Sequence, residues 1–342
     1  MKEKVLLGFS GGMDSCAAAG ILRAEGYDVT LAYLDMLADE EALCRVRRAA
    51  SVLGLPLRTI DVREAFERTV VEYFSEGYLR GETPAPCTRC NRSVKWKYLY
   101  ETAVAAGFDR IATGHYFRIE RDGEGRCFVR RAADRHKDQS YYLWGVPDRC
   151  LRMALAPLGD RIKSELRDEL PGELLARESM GVCFLSGRPY GDFLRERLPG
   201  IRPGAIVDRQ GRRIGTHEGH VFYTIGQKRG LGAAVRGAVV AVDSAANRIV
   251  TGDESELLHS TLIVREAHVP VPERLASSDT LRVMVRGIGR NPQGHTEVHP
   301  APDGRLVVEL DDPAWAPAPG QPVVFYDGDT VVGGGILDSS SR

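Results

Sequence analysis

Over its first 115 residues the chain alternates short apolar runs with longer helical stretches, and that rhythm commits it to a parallel sheet assembled from βαβ units. The strand candidates are Lys4–Phe9, Val29–Leu34, Leu57–Val62 and Arg110–Thr113. Between and after them, Cys16–Glu25, Glu40–Leu53, Glu64–Tyr78 and Ser93–Ala106 are predicted to be helical. Ala17, Ala18, Ala19, Ile21 and Leu22 favour a helix, and Gly26 and Gly54 stand where such helices stop. Ligands of open parallel sheets collect at the carboxyl ends of the strands, so Ser10 and the pair Gly114-His115 point to one edge of the fold. From about residue 198 the texture changes. Turn pairs such as Pro203-Gly204, Asp303-Gly304 and Pro319-Gly320 separate the apolar stretches Val239–Val242, Leu281–Val285, Leu306–Leu310 and Val323–Tyr326, which predicts an all-β region ending in a small barrel.

The turn after the first strand reads Ser10-Gly11-Gly12-Met13-Asp14-Ser15. Two glycines let backbone N–H groups approach an anion, and the helix that follows adds its positive end. Ser10 and Ser15 offer hydroxyls to phosphate oxygens, whereas Asp14 would repel them unless a cation lay between, so Mg²⁺ is expected at Asp14. The Gly-Lys-Ser/Thr ending of a nucleoside-triphosphatase P-loop is absent.

Composition limits the partners. Lys plus Arg number 46 and Asp plus Glu 47, a net charge of −1, so any nucleic-acid footprint must be local. Residues 202–236 meet that requirement with Arg202, Arg209, Arg212, Arg213, Lys228, Arg229 and Arg236 against Asp208 and Glu218 only. A second basic cluster, Arg118 to Arg135, is offset by four acids and reads equally well as a solvated face. Tyr116, Tyr141 and Tyr223 are candidate stacking partners for bases. No run of eighteen apolar residues exists and the opening apolar segment is too short for a secretory signal, so a cytoplasmic protein with no membrane partner is expected. Seven cysteines, an odd number, argue against a disulfide framework and toward metal or redox chemistry; Cys87-Thr88-Arg89-Cys90 is a C-x-x-C, a weak zinc signal without a second pair.

The hexapeptide Ser10–Ser15 resembles the S-G-G-x-D-S turn of ATP pyrophosphatases, enzymes that split ATP to AMP and pyrophosphate while adenylating a substrate oxygen. Five further stretches follow in order: Gly81 to Asn91 with Val94-Lys95-Trp96; Ala112 to Tyr116; Lys137 to Tyr141; Gly181 to Phe184; and Gly215 to Gly219 leading to Tyr223 to Gly232. Together they are similar to the MnmA family of tRNA 2-thiouridylases, and Pro319-Gly320-Gln321 and Gly333 to Ile336 match the end of that family. The resemblance covers essentially the whole chain. It implies an α/β ATP-pyrophosphatase domain (adenine nucleotide alpha hydrolase-like) over residues 1–197, a small central domain over 198–257 and a C-terminal β-barrel over 258–342.

It also implies residue roles. ATP would lie on Gly8, Phe9, Ser10, Gly11, Gly12, Met13, Asp14 and Ser15, with Leu34 and Gly114 lining the site. Cys183 would carry a persulfide and Cys90 would close a transient disulfide with it. The tRNA would meet Ala85, Pro86, Cys87, His115, Lys137, Asp138, Gln139, Arg286, Gly287 and Gln321, and a cysteine desulfurase or relay protein would supply the sulfur. The chemistry suits these residues, because a C2 carbonyl oxygen leaves readily only once adenylated, and persulfide sulfur is then a better nucleophile than water. This chain departs from the family pattern at three points: Ala85-Pro86-Cys87 replaces the usual Asn-Pro-Asp, Gly287 stands where an aromatic is common, and Asp35 to Glu40 is shortened. The first departure creates the C-x-x-C, and with Cys183 it offers three thiolates for a [4Fe–4S] cluster as an alternative sulfide carrier. An ATP-pyrophosphatase ligase acting on a small molecule, which needs neither Cys90 nor Cys183, and a non-catalytic RNA-binding module are the competing classes.

Overall fold

Val5, Leu6 and Leu7 are wholly buried because the strand that carries them lies inside a sheet covered on both faces. In the computed structural model, which describes residues 2–169, 172–174, 181–232, 235–287 and 289–342, that strand is β1 (Lys4–Gly8). The chain forms two units, one made of residues to Val70, Cys87–Phe184 and Asp329–Val331, the other of Val71–Pro86, Leu185–Gly328 and Val332–Arg342.

In the first unit β1 pairs in parallel with β2 (Asp28–Asp35), which pairs with β3 (Leu57–Asp61). On its other side β1 pairs in parallel with β4 (Arg110–Thr113), with Gly8 opposite Thr113. After a hairpin of β5 (Arg118–Arg121) and β6 (Cys127–Arg130), the two-residue β7 (Ala154–Leu155) completes the order β3-β2-β1-β4-β7. The strand order reverses between β1 and β4, which opens a crevice at their carboxyl ends. Against the sheet lies α1 (Met13–Ala24), whose Cys16, Ala18 and Ala19 are small enough to let the helix sit close. The next helix, α2 (Glu40–Leu53), is capped by the Asp39 carboxylate, which accepts from the Ala42 N–H at 2.9 Å, and ends at Gly54 as predicted.

Two predicted helices are differently built. Instead of one regular helix over Glu64–Tyr78 there is α3 (Arg63–Phe66), a π turn over Glu67–Val71, and then α4 (Glu72–Leu79), which belongs to the second unit. Instead of starting at Ser93, the next helix begins at Pro86: α5 (Pro86–Cys90) runs through a π turn over Asn91–Lys95 into α6 (Trp96–Ala105). Proline in a first turn costs no hydrogen bond, so the Pro-rich approach hid a helix start. Two short helices, α7 (Asp148–Met153) and α8 (Lys163–Glu169), follow.

The second unit opens its main run with α9 (Tyr190–Arg197) and a four-stranded sheet of β8 (Gly204–Val207), β9 (Arg213–His217), β10 (Ala238–Asp243) and β11 (Arg248–Gly252) in the order β10-β11-β8-β9. Beyond it lies a larger antiparallel sheet of β12 (Leu258–His268), β13 (Leu281–Met284), β14 (Thr296–Pro300), β15 (Leu306–Trp315), β16 (Pro322–Asp327) and β17 (Thr330–Ser341), ordered β13-β16-β17-β12-β15-β14, with α10 (Pro272–Ser277) beside it. Leu262, Val264, Val308, Val323, Phe325 and Leu337 form its fully buried core. The four predicted β stretches fall within β10, β13 (to Met284), β15 and β16. Among the described residues no helix is long and apolar enough to cross a membrane.

Candidate active site

The Ser10–Ser15 turn leaves the carboxyl end of β1 and runs directly into α1. Gly11 has φ +72°, and a Cβ on it would stand 3.2 Å from the Val46 Cα, so both backbone and space demand glycine. The Ser15 hydroxyl donates to the Gly12 carbonyl at 2.9 Å, the Gly12 N–H donates to Ser10 Oγ at 3.3 Å, and the two serine hydroxyls lie 3.3 Å apart. Gly12 occupies the N-cap and brings no capping side chain, so the first N–H groups of α1 face outward with the positive end of the helix. This is an anion cradle. The backbone after β4 abuts it: a Cβ on Gly114 would come within 3.0 Å of the Ser15 backbone. Phe9 is buried and donates its N–H to the Ala32 carbonyl at 2.8 Å, and Leu34 is buried one strand away, opposite Ile60.

Asp14 has two partners that local sequence does not reveal. Its Oδ2 accepts from Lys163 Nζ at 2.8 Å and its Oδ1 from the Tyr116 hydroxyl at 3.0 Å. Lys163 is buried, stands 5.7 Å from the centre of the Tyr116 ring, and is held by its own N–H on the Asp134 carboxylate at 3.0 Å. The cation facing Asp14 is therefore an ammonium group, with which the expected Mg²⁺ would compete for Oδ2. Sequence reading missed Lys163, since nothing local marks a lysine 149 positions from its partner. Tyr116 is a correction: 2% exposed and bonded to Asp14, it has no face to offer a base. Tyr141 and Tyr223 are buried as well, the latter edge-on to His217.

The thiols gather around Lys95. Cys90 is buried, Cys87 half-buried and Cys183, on the short turn Cys183–Leu185, exposed. Burial pushes the Cys90 thiol up to about 12, against the pull of Lys95, with Cys183 and Cys87 adding to the rise. Cys87 is raised for the same reason, burial first, with Lys95 opposing and Cys183 adding. Burial works against the charge of Lys95, but Cys90, Cys183 and Cys87 together hold its pKa above the ordinary lysine value. Three sulfurs and one ammonium group are thus within electrostatic reach of one another. The π turn explains the arrangement: its wider coil sets Lys95 five positions beyond Cys90, with the Lys95 N–H directed at the Cys90 sulfur. The donor set suits a three-cysteine cluster; among the described residues only Glu297, His299 and Glu309 bring three metal-ligating side chains within 4.8 Å of one another, as a single ion would need. All seven cysteines are free, so the Cys90–Cys183 disulfide is not formed here.

His115 links the two half-sites. Its neighbour Gly114 touches the cradle, while burial and the Lys95 charge push the His115 ring down to about 3, so it is neutral at physiological pH. Nδ1 lies 2.9 Å from the Thr113 hydroxyl.

The remaining predicted contacts divide between the units. In the first, the Asp138 carboxylate accepts from the Ala132 N–H at 2.9 Å and the Ser140 hydroxyl at 2.7 Å, and Gln139 Oε1 accepts from the Tyr116 N–H at 3.0 Å. These two side chains brace the loop that holds Tyr116 and, through it, Asp14. Lys137, beside them, is half-buried. Ala85, Pro86, Arg286, Gly287 and Gln321 belong to the second unit. There Arg286 stacks 5.1 Å from the Trp315 ring centre and donates to the Ala316 carbonyl at 2.7 Å, and Gln321 Oε1 accepts from the Ala318 N–H at 3.2 Å.

Three families match successive parts of the chain: a tRNA methyl transferase HUP domain over residues 3–187, a tRNA methyl transferase PRC-barrel domain over 191–253, and an aminomethyltransferase β-barrel domain over 259–337. The chain is 39% identical to the tRNA-specific 2-thiouridylase MnmA of Moorella thermoacetica, over 98% of this chain and 100% of that one. It is also 39% identical to the enzyme of the same name from Chloroflexus aggregans, over 97% of this chain and 98% of that one. Among solved structures, an NH3-dependent NAD synthetase from Campylobacter jejuni is 17% identical with a TM-score of 0.33, covering 51% of this chain and 68% of that one.

Proposed function

We propose, for a chain that belongs to the MnmA family of tRNA-specific 2-thiouridylases, a persulfide route to sulfur insertion at the wobble uridine. The enzyme is a tRNA 2-thiouridylase that uses ATP; the steps below are our reading of how. The Gly8–Ser15 segment, with Leu34 and Gly114, holds ATP, and the N–H groups of the cradle take the pyrophosphate. Lys163, released from Asp14 as the phosphates arrive, supplies positive charge there, and the freed Asp14 carboxylate would hold Mg²⁺. The uridine C2 oxygen attacks the α-phosphorus and pyrophosphate leaves. The terminal sulfur of a Cys183 persulfide then attacks C2 and AMP departs with its electron pair. Cys90 thiolate next attacks Cys183 Sγ, forming the Cys90–Cys183 disulfide while the outer sulfur stays on C2 with the electrons of the broken S–S bond. Lys95 stabilises the sulfur anions at both stages.

The observation that carries this reading is the meeting of Cys90 and Cys183 at one lysine, joined to the ATP cradle through Gly114-His115. A small-molecule ligase has no use for that sulfur pair. In this scheme residues 1–197 are the catalytic domain, 198–257 the small central domain and 258–342 the barrel. Ala85, Pro86, Cys87, His115, Lys137, Arg286, Gly287 and Gln321 meet the tRNA, and a cysteine desulfurase or relay protein loads Cys183 in the cytoplasm. A second reading, a [4Fe–4S] cluster held by Cys87, Cys90 and Cys183 that would supply sulfide directly, is favoured by the presence of the third thiol. Cys183→Ser is expected to abolish thiolation of tRNA while leaving tRNA affinity unchanged, read by mass spectrometry of digested nucleosides and by filter binding. Full thiolation by this variant would refute the sulfur assignment, and about four irons per chain in anaerobically purified protein would favour the cluster.

A further inference from the structure

The persulfide reading, on which the following role rests, gives Cys87 no part in the sulfur chemistry. Cys87 and Cys90 lie three positions apart in α5, so they share one face of the helix, with Cα atoms about 5 Å apart, inside the range a disulfide spans. Cys183 acts electrostatically on both. Exposure is graded along the trio, from buried Cys90 through half-buried Cys87 to exposed Cys183. A disulfide from Cys90 to Cys183 would occupy the very sulfur that must be loaded for the next cycle.

We propose that Cys87 is a resolving thiol, which moves the product disulfide from Cys90–Cys183 to Cys87–Cys90 and frees Cys183 for reloading. The Cys87 thiolate attacks Cys90 Sγ, the Cys87–Cys90 bond forms, and Cys183 leaves as a thiolate with the electron pair. The proton lost by Cys87 goes to solvent. The exchange is redox-neutral; the two electrons that restore the dithiol come from an external dithiol reductant, which attacks the half-buried Cys87 sulfur and leaves Cys90 as the departing thiol. Lys95, beside all three sulfurs, offsets the negative charge as it passes among them.

The test uses the full chain loaded with persulfide sulfur, ATP and unmodified tRNA, without reductant, followed by acid quench, alkylation and peptide mapping. Wild-type protein should yield a Cys87–Cys90 disulfide and an alkylated Cys183. Cys87→Ser and Cys87→Asp should yield Cys90–Cys183 and, with a dithiol present, lose several-fold more in steady-state rate than in first-turnover product. A wild-type Cys90–Cys183 product would overturn the resolving role and leave the persulfide reading standing, as would unchanged steady-state rates in both variants. Thiolated tRNA formed with no disulfide in any protein would overturn the persulfide reading itself. Loss of the first turnover in both variants would overturn the resolving role in favour of Cys87 as a direct participant in sulfur delivery.

Discussion

Lys95 and His115 set the protonation states around the sulfurs. Burial raises the Cys90 thiol to about 12 and Lys95 works against that rise, so the rate of sulfur transfer in a single turnover should climb with pH on a limb that reports Cys90. Lys95→Gln should move that limb to higher pH, lowering the neutral-pH rate about tenfold for each unit moved, whereas Lys95→Arg should largely restore it. An unmoved limb in Lys95→Gln would remove the lysine from the sulfur chemistry. For His115 the ring is pushed down to about 3 in the folded protein and returns to about 6.5 when unfolded. Between those values the unfolded chain binds one more proton than the folded one, so stability is fully present above about pH 6.5 and is lost as pH falls toward 3. His115→Gln should flatten that part of the pH profile of Tm, and an identical slope would show that the ring is not buried in its neutral form. Both residues stand in the motifs read at the outset, but their coupling does not: Lys95 and His115 are 20 positions apart, and no local pattern says that one charges the surroundings of the other.

Among the elements, the contact between the end of β4 and the start of α1 is the tightest constraint at the site. Gly114→Ala would put a methyl group within 3.0 Å of the Ser15 backbone, where no flexible side chain can give way. The expected result is about 1–3 kcal/mol of lost stability and a clear loss of ATP affinity by calorimetry, while Gly123→Ala, with open space around it and no positive φ, should leave ATP affinity unchanged. ATP binding by Gly114→Ala at wild-type affinity would detach β4 from the cradle. The periodicity identified β1 to β4 and two of the helices, because a buried parallel strand needs a continuous apolar run and an amphipathic helix needs its stripe. It did not identify the two π turns, since one extra residue in a turn shifts the stripe without breaking it. Long β12 and β17 also escaped, since polar residues and the Gly333–Gly335 run dilute the strand signal, and both are held by antiparallel pairing to each other rather than by local preference.

For the molecule as a whole, charge illustrates how far composition carries. The basic segment 202–236 is five net positive along the chain, yet Arg209 and Lys228 pair with Glu256 and Glu254, which lie outside it, and Arg212 pairs with Asp208. Arg202, Arg229 and Arg236 have no acidic partner among the described residues. If they meet phosphates, replacing all three with Gln should reduce the slope of log affinity for tRNA against log salt by about 2 to 3; an unchanged slope would place the RNA elsewhere. In the second cluster Arg118, Arg126 and Arg135 are paired with Asp160, Asp122 and Asp329, in keeping with a solvated face. By itself the sequence determined the parallel-sheet start, the glycine turn after β1, the β-rich second half and the family, because each is written in contiguous residues whose spacing matches a backbone period or a motif. Only the tertiary structure decided that Asp14 faces Lys163, that Tyr116 is a brace, and that three thiols share one lysine. Those outcomes depend on side chains brought together from distant positions in a medium of low polarity, where a charge must find whichever partner the fold delivers.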